Sequence, residues 1–235
     1  ASKPKLSLGG WFEGIVGISD IDNKVNTGGQ RVGLDVQQDS EVFFKGSVKL
    51  DNGIKITTRV ELEAQSSNSG DQIDEAYMGI KGKFGEIRIG SEDNAAHLMV
   101  TGNSGSWATN VGQNLNFDVG DWVETPTGHR ASTVQRLDIG EGDSEKLTYF
   151  TPRFGGFQLG LSYMPSANEG GNGDVETTSA ANHSGFAAAV RYSGKFDAVG
   201  IGASAGYVQY NPPGGSNPNR LSDPKGFAAG LKLTF

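Results

Sequence analysis

The sequence predicts an all-β fold, an antiparallel transmembrane β-barrel, over residues 1–235. Three observations predict it. Apolar and polar side chains alternate with a period of two along about ten segments, and the segments are joined alternately by short and long connections. In addition, no apolar run approaches the roughly 18 residues that a membrane helix needs. Mean hydropathy is negative, which a barrel permits because only alternate residues of each strand face lipid.

The first apolar row is Leu6, Leu8, Gly10, Phe12, Gly14, Val16 and Ile18. The second, Val42, Phe44, Gly46, Val48 and Leu50, alternates with Glu41, Phe43, Lys45, Ser47 and Lys49, and the tight Asp51-Asn52-Gly53 turn leads into the third. That third segment is the clearest. Ile54, Ile56, Thr58, Val60, Leu62 and Ala64 alternate with Lys55, Thr57, Arg59, Glu61 and Glu63, so one face is apolar and the other ionic.

The rhythm continues through Ala76, Met78, Ile80 and Gly82, then Ile87 and Ile89, then Leu147 and Tyr149. It returns at Phe157, Leu159, Leu161 and Tyr163, at Phe186, Ala188, Val190 and Tyr192, and at Val199, Ile201, Ala203, Ala205 and Tyr207. Phe227, Ala229, Leu231, Leu233 and Phe235 form the last row.

Short connections fall at 51–53, 83–85, 152–156 and 194–198, and long ones near 20–39, 65–72, 91–144, 164–184 and 211–225. An up-and-down outer-membrane barrel has this asymmetry of short turns at one end and long loops at the other. Aromatic residues mark both ends: Phe84, Phe154, Phe157, Phe196 and Phe235 toward the turns, and Tyr163, Phe186, Tyr207, Tyr210 and Phe227 toward the loops. Two such bands suit the interfacial girdles of a barrel.

Composition narrows the function. The 36 glycines lack a three-residue repeat, which excludes collagen, and the absence of cysteine excludes disulfides and thiolate metal sites. A formal charge of -7 argues against nucleic-acid binding. Loop carboxylates such as Asp20 and Asp22 could hold Ca²⁺, but their spacing is unspecific, and neither a cofactor nor a structural metal is expected.

The segments Ser40–Gly46, Leu50–Ile54 and Ile80–Gly90 resemble the general porins of Gram-negative bacteria. Leu147–Tyr163 is the more specific match, similar to the strand-turn-strand that follows the third loop in that family, and the resemblance covers most of residues 1–163. It implies a 16-stranded barrel of the cell outer membrane, a homotrimer set in membrane lipid and lipopolysaccharide, passing ions and small hydrophilic solutes by passive diffusion. It also implies that the third loop, here 91–144, folds into the pore. With only about ten strands in this chain, the expectation is a barrel incomplete at its C-terminal side.

In such a channel, selectivity comes from pore width and lining charge. Strand parity assigns Lys45, Lys55, Arg59 and Arg88 to a basic wall, with Lys49 and Lys81 in the same rows and Glu61 and Glu63 near the outer mouth. By the resemblance, Asp118, Asp121 and Glu124 of the acidic third loop would face that wall and set up a transverse field, with weak cation preference.

Two other readings compete. The omptin proteases are ten-stranded outer-membrane barrels, but His97, His129 and His183 fall in expected loops, none two residues from an aspartate, and no G-x-S-x-G or H-E-x-x-H motif occurs, so no catalytic residue is assigned. A soluble β-rich binding module would turn its apolar rows inward.

Overall fold

The computed structural model describes residues 1–21, 31–64, 72–101, 137, 143–167, 182–212 and 223–235. Ten strands run in chain order: β1 (Lys5–Ile21), β2 (Arg31–Lys49), β3 (Lys55–Glu63), β4 (Ile73–Gly82), β5 (Gly85–Ser91), β6 (Glu145–Phe150), β7 (Phe157–Ser166), β8 (His183–Phe196), β9 (Val199–Asn211) and β10 (Lys225–Thr234). A short helix, α1 (Ala95–Met99), stands between β5 and β6. Each strand pairs antiparallel with the next in one sheet, the up-and-down order that the alternation of connections predicts. β1 pairs with β2 and β10 with β9, and no ladder joins β1 to β10 among the described residues.

The turns explain the register. At Gly155-Gly156 both residues have positive φ (57° and 87°), and Phe154 and Phe157 exchange backbone bonds of 2.9 Å in each direction. Two positive-φ residues in succession match the strand twist of a two-residue hairpin, and glycine adopts them without steric cost. At Asp51-Asn52-Gly53, the Gly53 amide donates to the Leu50 carbonyl at 3.0 Å and the Ile54 amide to Asn52 Oδ1 at 3.1 Å.

Because residues directly opposite in adjacent strands share a face, the register carries side assignments across the sheet. Thr57, Gly79, Arg88, Thr148, Ser162, Ala187, Val208 and Gly226 lie on one continuous row. The opposite, apolar face is exposed: Leu6 at 90 %, Ile18 at 80 % and Phe227 at 76 %. The buried core lies instead on the face bearing the ionic rows, where Phe150, Met164, Ala187, Val208 and Tyr210 pack with Ala95, Ala96 and Met99 of α1. A soluble β protein has the reverse arrangement, so the reading as a soluble binding module fails here.

Four expectations need correction. The first long connection is shorter than 20–39, since β1 and β2 remain paired out to Ile21 and Arg31; backbone pairing does not require the apolar alternation that stops at Ile18. His183 opens β8 rather than lying in a loop. His97 lies in α1 and is buried, not in a surface loop. Tyr210, assigned to the loop-side aromatic band, is fully buried on the other face, its hydroxyl 3.0 Å from Met164 Sδ. An even-numbered residue on β9 points opposite to Tyr207, so nearness to the strand end does not by itself put Tyr210 in the band.

Candidate functional site

The ionic face is built by register. Lys45 of β2 lies opposite Arg59 of β3, which lies opposite Tyr77 of β4, so this row carries two cations side by side. Like charges directly opposite one another are destabilising, and two features offset this pair. Phe43, two residues along β2, presents its ring to both cations, with Lys45 Nζ 4.8 Å and Arg59 Cζ 4.3 Å from the centroid. Arg59 also pairs with Glu61 on its own strand. A shallow pocket opens here, lined by Ser7, Lys45, Lys55, Thr57, Arg59 and Tyr77.

Lys55 lies two residues toward the turn from Thr57, opposite Lys49 on one side and Lys81 on the other. Three lysines thus stand abreast on three strands, and Lys81 reaches Glu86 at 3.1 Å. Arg88 is more enclosed than Arg59, at 22 % against 29 % side-chain exposure. Its Nε donates to Glu86 Oε1 at 2.7 Å and its Nη1 to Glu92 Oε2 at 2.8 Å, while Tyr77 and Phe150 present rings 5.2 and 5.1 Å from Cζ.

From Glu92 the chain turns across the ionic face. Asn94 caps α1, its Oδ1 accepting from the Ala96 and His97 amides at 2.8 and 3.1 Å, and its Nδ2 donates to the Leu137 carbonyl at 2.6 Å. The Ala95 amide donates to Ser162 Oγ on β7 at 2.8 Å, and the Thr101 amide to Ser204 Oγ on β9 at 2.7 Å. The segment therefore passes over β7, β8 and β9 toward β10. It can lie flush because the wall beneath is small: a Cβ at Gly160 would stand 2.3 Å from Met99 Sδ, and one at Gly230 only 1.6 Å from the Thr101 carbonyl oxygen.

Carboxylates gather where this segment leaves the wall. Glu92 is 1 % exposed, and burial raises its pKa to about 7 against the opposing pull of Arg88. Burial and the nearby Asp93, Asp74 and Glu75 raise Asp143 to about 8, with Lys146 opposing. The Lys146 ammonium donates to the backbone oxygens of Glu92 and Ser144. His97 Nδ1 lies 2.5 Å from Asp93 Oδ1. Glu41, Glu63 and Asp74 bring one oxygen each within 4.8 Å of one another, as do Glu75, Asp93 and Asp143. Hard oxygen ligands of this kind suit a divalent cation, but acidic groups also assemble without one.

The structure thus brings Lys45, Lys55, Arg59 and Arg88 onto one face, in three adjacent rows. Asp118, Asp121 and Glu124 lie outside the described residues. Sequence reasoning missed the rings of Phe43 and Tyr77 and the pairing of Arg88 with two carboxylates. Parity alone could have placed Phe43, Tyr77, Glu86 and Glu92 beside the basic rows, since all share that face.

A model of a family described as Gram-negative porin matches residues 1–235. The major outer membrane protein P.IB of Neisseria lactamica is 28 % identical over 169 residues, covering 71 % of this chain and 45 % of that protein. A monosaccharide porin of a Halomonas species is 27 % identical over 164 residues, covering 69 % of this chain and 39 % of the relative. The chain spans less than half the length of these curated relatives. In fold it is similar to Salmonella typhi OmpF, solved in complex with daunomycin, with a TM-score of 0.54 at 15 % identity over 98 % of this chain and 61 % of that one.

Proposed function

The chain belongs to the Gram-negative porin family, and from that premise we propose that it forms the wall of an outer-membrane channel passing ions and small hydrophilic solutes by passive diffusion. One observation carries the reading: the apolar face of the sheet is exposed while the opposite face carries charged rows and a segment laid across it. In a bilayer the exposed rows meet hydrocarbon, and the ionic rows line water.

On this reading Lys45, Lys55 and Arg59 face the aqueous passage, Arg88 is a paired cation beneath them, and residues 92–101 begin a third loop that narrows the pore. Asp118, Asp121 and Glu124 would continue that loop opposite the basic wall. Charge, width and water order at the constriction then select solutes without a catalytic group or cofactor. A homotrimer embedded in lipid and lipopolysaccharide fits the family and the exposed apolar residues on β1 and β2.

Planar-bilayer recording of the channel purified from outer membranes tests the proposal. Stepwise conductance increments in KCl are the expected result. Absence of conductance, or extraction of the protein into buffer without detergent, would overturn it.

A further inference from the structure

The charges on the ionic face are sorted along the strands. At the turn end, β1 carries Lys5, β2 carries Lys45 and Lys49, and β3 carries Lys55 and Arg59, all on that face by register. Lys81 and Arg88 continue the basic zone on β4 and β5. On the far side of the sheet the same end has Arg191 and Lys195 on β8 and Lys232 on β10. Glu86 is the carboxylate among them, bonded to both Lys81 and Arg88.

Toward the loop end the sign reverses. Glu13 follows on β1, Glu41 on β2, and Glu61 and Glu63 on β3. Glu75 and Asp93 add to the same end, joined by Glu92 and Asp143 once the pH exceeds their values of about 7 and 8, and Lys146 there is held by backbone oxygens. The boundary on β3 falls between Arg59 and Glu61, which pair with each other. From Lys55 to Glu63 is about 27 Å of strand at roughly 3.4 Å per residue.

We propose that this axial separation of charge makes the channel a rectifier, carrying more current when the loop mouth is positive than when it is negative. The inference rests on the channel reading above. Fixed carboxylates concentrate mobile cations in the loop half, and fixed ammonium and guanidinium groups concentrate anions in the turn half. A positive loop mouth drives cations from the loop half and anions from the turn half toward the Arg59–Glu61 boundary, enriching carriers where the two halves meet. Reversing the voltage draws each ion out through its own mouth and depletes the boundary.

Salt sets the range. The screening length is about 30 Å at 0.01 M and about 3 Å at 1 M, so the two zones act as continuous charged regions in dilute salt and as isolated charges in concentrated salt.

The test is current against voltage in planar bilayers at 0.01 M and 1 M KCl, with orientation fixed chemically. The chain has no cysteine, so Asn52→Cys in the exposed 51–53 turn gives one thiol, and a membrane-impermeant maleimide added to one compartment reports which mouth faces it. Forward current should exceed reverse current by about twofold or more at 0.01 M and equal it at 1 M. Lys49→Glu with Lys55→Glu and Lys81→Glu removes most of the net positive charge of the turn half, leaving Lys45, Arg59 and Arg88 in place, and should bring the ratio down toward unity. The milder pair Lys49→Gln with Lys55→Gln, both exposed side chains, should reduce it. A linear response in dilute salt, a ratio favouring the opposite polarity, or ratios untouched by both variants would overturn the proposal while leaving the channel reading intact. No conductance at all would overturn both.

Discussion

Arg88 Nη1 donates to Glu92 Oε2 at 2.8 Å, tying a wall strand to the first residue of the segment that crosses the ionic face. Glu92 titrates at about 7 because it is buried, and Asp143 nearby at about 8. Between pH 9 and 6 both carboxylates therefore take up protons and the loop-end wall loses negative charge. The reversal potential under a KCl gradient should shift toward anions as the pH falls through this window. Glu92→Gln with Asp143→Asn should flatten the response between pH 6 and 9; an unchanged pH profile would refute the assignment.

The same shifts set the sign of a stability effect. For Glu92 the folded value lies above the ordinary 4.5, so between 4.5 and 7 the folded state binds more proton than the unfolded chain. Unfolding free energy therefore falls as pH rises through that window, and Asp143 extends the trend from 3.8 to about 8. Thermal denaturation of detergent-solubilised protein should give a lower Tm at pH 8.5 than at pH 5, with the difference reduced in Glu92→Gln.

Lys45 and Arg59 share one row and one aromatic ring, so their effects on permeation should combine. Lys45→Ala with Arg59→Ala removes two cations facing the proposed passage and leaves Glu61 without its strand partner. The reversal potential should move toward cations, by more than for Arg88→Ala alone, because Arg88 is already paired with Glu86 and Glu92. Equal shifts in the two cases would mean that pairing does not decide which cations control the flux.

Strand identity was legible where a single face is uniform. Ile54 to Ala64 alternates without exception, and Lys55, Arg59 and Glu61 followed from parity once that phase was set. The phase failed where burial comes from distant chain: Tyr210 and Val208 are covered through contacts with the α1 segment and Met164, far away in sequence. His97 misled for the same reason. A five-residue helix leaves almost no periodic signal, and only its Asn94 cap and its seat against Gly160 and Gly206 give it a fixed place.

Asn94 is fully buried and satisfies three partners at once: two α1 amides and the Leu137 carbonyl. Loss of a helix N-cap costs about 1 kcal/mol, and the Leu137 carbonyl would be left without this donor. Asn94→Ala should lower Tm and broaden the distribution of single-channel conductances, as the crossing segment loses its anchor near β7. Asn94→Asp keeps the cap but not the amide donor, and should fall between the two.

Gly230 offers the sharpest test of whether residues 92–101 obstruct the passage. A Cβ there would fall 1.6 Å from the Thr101 carbonyl oxygen and 2.7 Å from its carbon, both backbone atoms that cannot rotate away. Gly230→Ala must therefore lift Thr101 off β10 or shift the strand, and overpacking of this kind costs about 1–3 kcal/mol. Gly9→Ala is the control, since its added carbon would meet only the Phe43 ring at an ordinary 3.6 Å. If the segment narrows the channel, displacing its end changes the conductance of Gly230→Ala while Gly9→Ala retains the parent value. Matching conductances in a Gly230→Ala channel whose Tm has dropped would place the segment outside the conducting path.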